Sequence, residues 1–280
     1  MSEPWTSERR PSSLTGRLAR LGFTDAGRAE RLLAEAAAEG VTVTDAMLDA
    51  LGGAADPDLA LSSLLRLLGE LDAPERAALQ ADEGLRRRLP AVLGVSAALG
   101  EHLARHPGDW RVLSGDGAIQ APDPRDLRDS LLRAVGADPA DPAPTAADAS
   151  TETLVALRAV YRRHLLHLAG RDLTGVLDVG EVAAELADLA SAALEAGLAV
   201  ARTEVPEADS CRLAVIGMGK CGGRELNYVS DVDVIFVAEP RPGHDETEAL
   251  RAASRLASGL MRACSASTPE GSLWEVDAAL

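Results

Sequence analysis

Leucines recur at helical spacing through the first half of the chain. In DPDLALSSLLRLLGEL, residues 56–71, four of them follow the i, i+3, i+4, i+7 pattern of a helix with one buried face. These are Leu61, Leu64, Leu65 and Leu68. Asp56 and Pro57 stand where an N-cap and a first-turn proline are favoured. Another helix is predicted over residues 91–105. The pattern predicts a helical N-terminal region over residues 1–135.

The periodicity stops at residue 136. Residues 136–150, GADPADPAPTAADAS, are rich in Pro, Ala and Asp, which predicts a flexible linker. Helical spacing returns over residues 151–204, which we expect to form helices leading into the last region.

Short apolar runs dominate from residue 205 onwards. Three of them predict buried strands: LAVIGM (213–218), VIFVAE (234–239) and the beginning of LWEVDAAL (273–280). A helix is predicted between the second and third strands, over residues 247–264. Strand, glycines, helix, strand, helix and strand is an α/β order. The expected fold class is α+β, with a helical region followed by an α/β core over residues 205–280 that is truncated at its C-terminus.

Two carboxylates, Asp231 and Asp233, stand at the start of the second predicted strand. Side chains two apart on a strand point to the same face, so these carboxylates converge while the neighbouring valines face the core. Adjacent carboxylates repel unless a hard cation such as Mg²⁺ binds between them. A third ligand is available on the next strand, where Asp277 and Glu275 are rivals.

A glycine-rich turn directly follows the first predicted strand. Its glycines are Gly217, Gly219, Gly222 and Gly223. Glycines allow the backbone to approach a phosphate closely. Lys220, the only lysine in the sequence, lies in this turn, and it or Arg224 is a candidate phosphate contact. Ser230 is a candidate either to orient a phosphate oxygen or to cap a turn.

Three interpretations of this segment compete. Gly217, Gly219 and Gly222 match the dinucleotide-binding pattern G-x-G-x-x-G, but that site requires a full helix next and an acid about 20 residues further on. A solvated acidic cap on a strand is the plainest alternative. The third interpretation is a nucleotidyltransferase site, in which two carboxylates of one strand and a third from its neighbour hold Mg²⁺. The combination of glycine turn and paired carboxylates favours the third.

Residues 217–236, GMGKCGGRELNYVSDVDVIF, resemble the motif GMGKLGGRELNYSSDIDLIF of the glutamine synthetase adenylyltransferase/adenylyl-removing enzyme family. EGSLWEVDAAL (270–280) resembles a later segment of that family, and residues 89–110 and 161–175 are also similar to it. The sequence departs from the motif at Cys221 and Val229, and neither position would supply a metal ligand.

The resemblance implies a polymerase-β-type nucleotidyltransferase core. It implies Asp231, Asp233 and Asp277 as catalytic residues and Mg²⁺ ligands. It implies that nucleotide is bound by Gly219, Lys220, Gly222, Gly223, Arg224 and Ser230. Implied substrates are ATP, ADP and inorganic phosphate, with glutamine synthetase as protein substrate and the PII signal protein and glutamine as regulators.

The family carries two nucleotidyltransferase domains in one chain, and the run ELNYVSD resembles the first copy, which removes AMP. We therefore expect a fragment of the N-terminal half of a bifunctional enzyme. Its activity in isolation is in doubt. Two other functions stay open: a non-catalytic docking module for glutamine synthetase or PII, and another polymerase-β-type transferase such as a uridylyltransferase of PII. Metal-dependent nucleotide binding would distinguish an enzyme from a docking module.

Composition narrows the function further. A formal net charge of -16 argues against a nucleic-acid partner, because binding phosphate backbones requires basic surface. No apolar run approaches the roughly 20 residues of a membrane span, and no signal peptide is visible at the N-terminus. The three cysteines, Cys211, Cys221 and Cys264, form no C-x-x-C pair. These features predict a reduced, cytoplasmic protein without a membrane partner.

Overall fold

The computed structural model describes residues 13–278 and divides them into two units, which meet in sequence at Ala118 and Ile119. The class is α+β, since most residues are helical and a single small sheet lies in the second unit. Across residues 13–278 no helix is both long enough and apolar enough to cross a membrane.

The first unit is built from seven helices. They are α1 (Leu14–Arg20), α2 (Ala26–Ala38), α3 (Asp45–Leu51), α4 (Pro57–Glu70), α5 (Ala73–Ala81), α6 (Glu83–Leu93) and α7 (Ala97–Arg105). Two 3-10 segments, Pro107–Leu113 and Asp116–Ile119, follow them in the chain.

The leucine pattern of α4 is confirmed. The helix begins at Pro57, and the Asp56 carboxylate accepts a hydrogen bond from the Leu59 backbone N–H at 2.9 Å. Of the four predicted leucines, three are fully buried and Leu65 is partly buried. The capping residue and the leucine periodicity therefore predict the same helix, so local and tertiary preferences are consistent here.

The single helix expected over residues 91–105 is wrong. The chain breaks between α6 and α7, where the Ser96 side chain accepts a hydrogen bond from the Leu99 N–H at 3.2 Å and starts a new helix. At Gly94, which ends α6, a Cβ would lie 2.7 Å from the Cβ of Ala54. A glycine at the end of one helix and a serine cap at the start of the next produce the break.

The second unit contains five helices and three strands. They are α8 (Pro124–Ala134), α9 (Thr151–Asp172), α10 (Val179–Thr203), β1 (Cys211–Gly217), α11 (Gly219–Gly222), β2 (Val232–Pro240), α12 (Glu246–Ser265) and β3 (Val276–Ala278). A 3-10 segment, Ala208–Ser210, precedes β1.

The boundary between the two units lies before residue 135, where the predicted helical N-terminal region ends. Helix α8 belongs to the second unit, because Leu127 and Leu131 are buried in one cluster with Ala193 and Ala196 of α10. Contacts between helices determine this boundary, and the leucine spacing of α8 alone does not identify its partner.

Residues 136–150 are irregular, but they are held against α10 where the sequence predicted a flexible linker. The Ala146 N–H donates to the Ala199 carbonyl at 3.0 Å, and Arg202 donates to the Pro144 carbonyl at 2.6 Å. Ala137 and Ala146 are both buried. Their small side chains allow the segment to lie directly on the helix.

Helix α10 is buried on two sides. One side packs with α8 and α9 through residues such as Leu189 and Ala193. The other side packs with α12 and the sheet through residues such as Leu186 and Ala190. The helix is therefore shared by both hydrophobic clusters of the unit.

The sheet has the order β1-β2-β3, with β1 antiparallel to β2 and β2 parallel to β3. One face, including Val232 and Val234, belongs to the core cluster. On the opposite face Ile216 is 46% exposed and Val237 is 50% exposed. The first two strands are thus half-buried along part of their length, whereas the apolar runs predicted fully buried strands.

Replacing Gly259 with Ala tests the close packing of α12 on α10. A Cβ at this position would lie 2.8 Å from the Cβ of Ala201, which is fixed to the backbone of α10. We expect a net loss of about 1–2 kcal/mol in the free energy of unfolding, measured by urea denaturation followed by circular dichroism. Ser258→Ala, at an exposed position of the same helix, is the control and should change stability by less than about 0.5 kcal/mol. Equal stabilities for both variants would contradict the close contact.

Candidate functional site

Three carboxylates meet where β2 and β3 begin. Asp233 and Asp277 are paired across the parallel strands, and Val232 donates a backbone hydrogen bond to the Glu275 carbonyl at 3.0 Å just before this pair. Oxygens of Asp231, Asp233 and Asp277 all lie within 4.8 Å of one another. The register between the two strands therefore brings the third carboxylate to the first two.

The alternation along β2 explains why the carboxylates share a face. Val232 and Val234 are fully buried in the core, so Asp233 between them must point away from it. Asp231 and Asp277 are exposed and Asp233 is half-buried. Glu275, the sequence rival of Asp277, is exposed and is not part of the cluster.

The donor set and spacing of this cluster suit a hard divalent cation. Carboxylate oxygens are preferred ligands of Mg²⁺, and oxygens that share one Mg²⁺ at about 2.1 Å lie up to about 4.2 Å apart. Small rotations of the three side chains are enough to close this distance. A solvated strand cap would not require three acidic groups from two strands to face one another at this range.

The glycine turn lies directly against this cluster. The Met218 N–H donates to the Asp233 carbonyl at 2.8 Å, which joins the end of β1 to β2. Gly219 has φ +50°, and a Cβ there would lie 2.4 Å from Oδ2 of Asp233. At Gly222 a Cβ would lie 2.3 Å from the carbonyl oxygen of Gly217. Both positions therefore require glycine, and Gly223 follows them as the C-cap of the single turn α11.

The two candidate phosphate contacts differ in their surroundings. Arg224 forms a two-pronged ion pair with Asp188 of α10, with Nη2 at 2.8 Å from Oδ2, and hydrogen bonds to this carboxylate raise the pKa of Arg224. Lys220 is exposed, and its side chain makes no hydrogen bond or ion pair with any residue in 13–278. Lys220 is thus the cation of this turn whose charge is available to a ligand.

The loop between α11 and β2 is anchored to two helices. The Tyr228 hydroxyl donates to Oδ2 of Asp172 at 2.8 Å, and burial, followed by this carboxylate, raises the pKa of Tyr228. Arg224 supplies the second anchor, to α10. The Ser230 hydroxyl donates to Oδ1 of Asp231 at 3.4 Å, which leaves its suggested phosphate and capping roles undecided.

Sequence reasoning missed the two anchoring acids, Asp172 and Asp188. They lie 56 and 36 residues from their partners, so no local spacing marks them. The uncommon backbone of Arg224, with φ +57°, is also visible only in the structure.

The strand directions exclude the dinucleotide-binding interpretation. That fold requires parallel strands joined through a full helix. Here β1 and β2 are antiparallel, and α11 between them is a single turn of four residues.

The fold and site define an α+β protein with a three-carboxylate cluster beside a glycine turn. A comparison with protein families matches residues 86–280 to the glutamate-ammonia ligase adenylyltransferase family. Because the match covers more than half of the sequence, the chain belongs to this family.

Individual relatives agree with this assignment. The chain is 51% identical to the bifunctional glutamine synthetase adenylyltransferase/adenylyl-removing enzyme of Streptomyces avermitilis, over 98% of this chain and 26% of the relative. Identity to the enzyme of the same name from Streptomyces coelicolor is 50%, over 98% of this chain and 27% of the relative. For the Mycobacterium tuberculosis enzyme it is 42%, over 84% and 22%. The chain thus spans about a quarter of the length of its closely matching Streptomyces relatives.

Gly219→Ala tests the contact between the turn and Asp233. The added methyl would displace the carboxylate, so we expect Mn²⁺, used as a probe for the cluster, to bind about tenfold more weakly in calorimetric titration. Gly243→Ala is the matched control, because Gly243 also has a positive φ, +89°, with nothing within 4 Å of the added Cβ. Both variants should lose about 1–2 kcal/mol of stability through backbone strain. Equal Mn²⁺ affinities in the two variants would show that the turn does not shape the cluster.

Proposed function

We propose that this chain carries a Mg²⁺-dependent nucleotidyltransferase site of the polymerase-β type that acts on glutamine synthetase. The convergence of Asp231, Asp233 and Asp277 is the observation that supports this function most directly. The family match and the printed names of the relatives supply the reaction class and the protein substrate.

Each part of the site has a separate task in this proposal. Asp231, Asp233 and Asp277 hold Mg²⁺, which when bound supplies positive charge to the attacking and leaving oxygens of the transferred adenylyl group. Gly219, Gly222 and Gly223 have no side chains, so phosphate oxygens can approach the backbone closely there. Lys220 contacts phosphate, since its charge has no partner in the described part of the chain.

Arg224 has a supporting task in the same scheme. Its ion pair with Asp188 fixes the loop that leads into β2, and so fixes where Asp231 begins the strand. Ser230, whose hydroxyl contacts Asp231, orients that carboxylate. Both residues therefore serve the site through the position of the first acid.

The proposed reaction is removal of AMP from an adenylylated tyrosine of glutamine synthetase. An oxygen of inorganic phosphate attacks the α-phosphorus of the adenylyl group, and a new P–O bond forms. The bond from that phosphorus to the tyrosine oxygen breaks, and the tyrosine oxygen receives the proton that the attacking hydrogen phosphate gives up. The products are ADP and a free tyrosine hydroxyl. The similarity of the run ELNYVSD to the first of the two family motifs supports this direction.

The whole protein, in this proposal, is bifunctional and cytoplasmic. A second site adds AMP to glutamine synthetase from ATP, and the PII signal protein regulates the balance between the two reactions. The protein thereby controls nitrogen assimilation. The names of the Streptomyces relatives, which include both adenylyltransferase and adenylyl-removing activities, support the pairing of the two reactions.

Asp231→Asn in the full-length gene product tests the metal site. Loss of one ligand removes several kcal/mol of charge stabilisation, so removal of AMP should slow by more than about 100-fold. Glu275→Gln is the control, because Glu275 is an exposed acid next to β3 that lies outside the cluster. Circular dichroism should show both variants folded. Activity retained in Asp231→Asn would refute the assignment.

A product assay tests the direction of the reaction. Adenylylated glutamine synthetase is incubated with Mg²⁺, phosphate and a full-length protein whose second site has been inactivated. ADP should appear, and omitting phosphate should stop its formation, because phosphate is the nucleophile. In a parallel incubation with ATP and unmodified glutamine synthetase, consumption of ATP, release of pyrophosphate and labelling of glutamine synthetase would reverse the proposed direction. Metal-independent binding of glutamine synthetase without turnover would identify a docking module.

A further inference from the structure

The segment that carries Asp277 to the cluster has little regular structure of its own. Between α12 and β3 the chain forms an isolated bridge, Thr268 with Gly271, and one backbone hydrogen bond, from the Leu273 N–H to the Cys264 carbonyl at 3.1 Å, before three residues pair with β2. Ordering each residue of such a segment costs about 1–2 kcal/mol in backbone entropy, and each hydrogen bond returns only about 1 kcal/mol. Besides the three paired residues and the buried Val276, the segment therefore depends on contacts with other elements to hold the third carboxylate in place.

Arg158 of α9 binds the beginning of this segment. Its side chain is fully buried, and Nη2 donates to the carbonyl oxygens of Ala263 at 2.9 Å and Ala266 at 2.6 Å. These carbonyls lie at the C-terminal end of α12, where helix carbonyls lack partners and the helix dipole favours a positive charge. No carboxylate in residues 13–278 shares this guanidinium, so its hydrogen bonds are to backbone carbonyls.

Two further residues of α9 bind the rest of the segment. The Tyr161 hydroxyl accepts a hydrogen bond from Nε1 of Trp274 at 3.2 Å, three residues before Asp277. Nη1 of Arg162 lies 3.1 Å from Oε2 of Glu270, which is itself buried. Positions i, i+3 and i+4 lie on one face of a helix, so Arg158, Tyr161 and Arg162 form one continuous surface.

We propose that this surface of α9, the α9 brace, fixes Asp277 opposite Asp233 and so completes the metal site. The inference deepens the proposed function and rests on it for the role of the metal. Arg158, Tyr161 and Arg162 are positioning residues, because they act on the third carboxylate through the backbone of residues 266–275. Without the brace, repulsion among the three acids would favour separation of β3 from β2.

Arg158→Gln is the main test of the brace. Arg202→Gln is its matched control, because Arg202 lies in the same unit and also donates to the carbonyl of an irregular segment, at Pro144. Hydrogen exchange followed by mass spectrometry reports on β3 without any metal, and calorimetric titration with Mn²⁺ reports on the cluster. In Arg158→Gln we expect faster exchange in peptides covering 270–278 and about tenfold weaker Mn²⁺ binding. In Arg202→Gln both properties should match the parent chain.

Tyr161→Phe gives a milder version of the same test. It removes only the hydroxyl that accepts from Trp274, so the chain should stay folded if Arg158→Gln does not. We expect weaker Mn²⁺ binding and faster exchange at β3, with the exchange of α10 unchanged. Parent-like exchange and Mn²⁺ affinity in a folded Arg158→Gln or Tyr161→Phe chain would overturn the brace. Failure of the parent chain to bind Mn²⁺ would instead refute the proposed function. Hydrogen exchange at β3 would still test whether the α9 brace holds that strand, because this measurement needs no metal.

Discussion

The burial of α10 on two sides is the constraint on which the second unit depends. Its small residues allow neighbouring elements to come close: a Cβ on Gly197 would lie 3.4 Å from Sγ of Cys264, and Ala201 faces Gly259. One helix thus supports the sheet and α12 on one side and α8 and α9 on the other. Asp188 of the same helix reaches the loop before β2. The position of the carboxylate cluster therefore depends on a helix that contributes no ligand to it.

Features that repeat over a few residues could be predicted from the sequence. Alternation along β2 predicted that Asp231 and Asp233 share a face, and the leucine spacing predicted α4. Strand direction has no such local signal, so the antiparallel pairing of β1 with β2 appears only in the structure. The packing of residues 136–150 on α10 could not be predicted from the sequence either. A Pro- and Ala-rich composition is compatible both with a mobile linker and with a segment packed on a helix.

The choice between Lys220 and Arg224 shows how sequence and structure contribute differently. Sequence alone marks Lys220 as unusual, since it is the single lysine of the chain, but it treats both residues as nearby cations. The structure separates them by their partners: Arg224 is neutralised by Asp188, and Lys220 is not paired within residues 13–278. The difference depends on Asp188 of α10, which lies outside any sequence motif centred on the glycine turn.

The parallel pairing of β3 with β2 has a consequence for how the protein is made. During synthesis the glycine turn, Asp231 and Asp233 leave the ribosome well before Asp277, with all of α12 in between. Until α12 has folded against α10, two of the acids face each other without the third. In the proposed function, tight metal binding therefore has to wait until the sheet has gained its last strand. The three-carboxylate arrangement is thus a property of the completed second unit and of no shorter stretch of the chain.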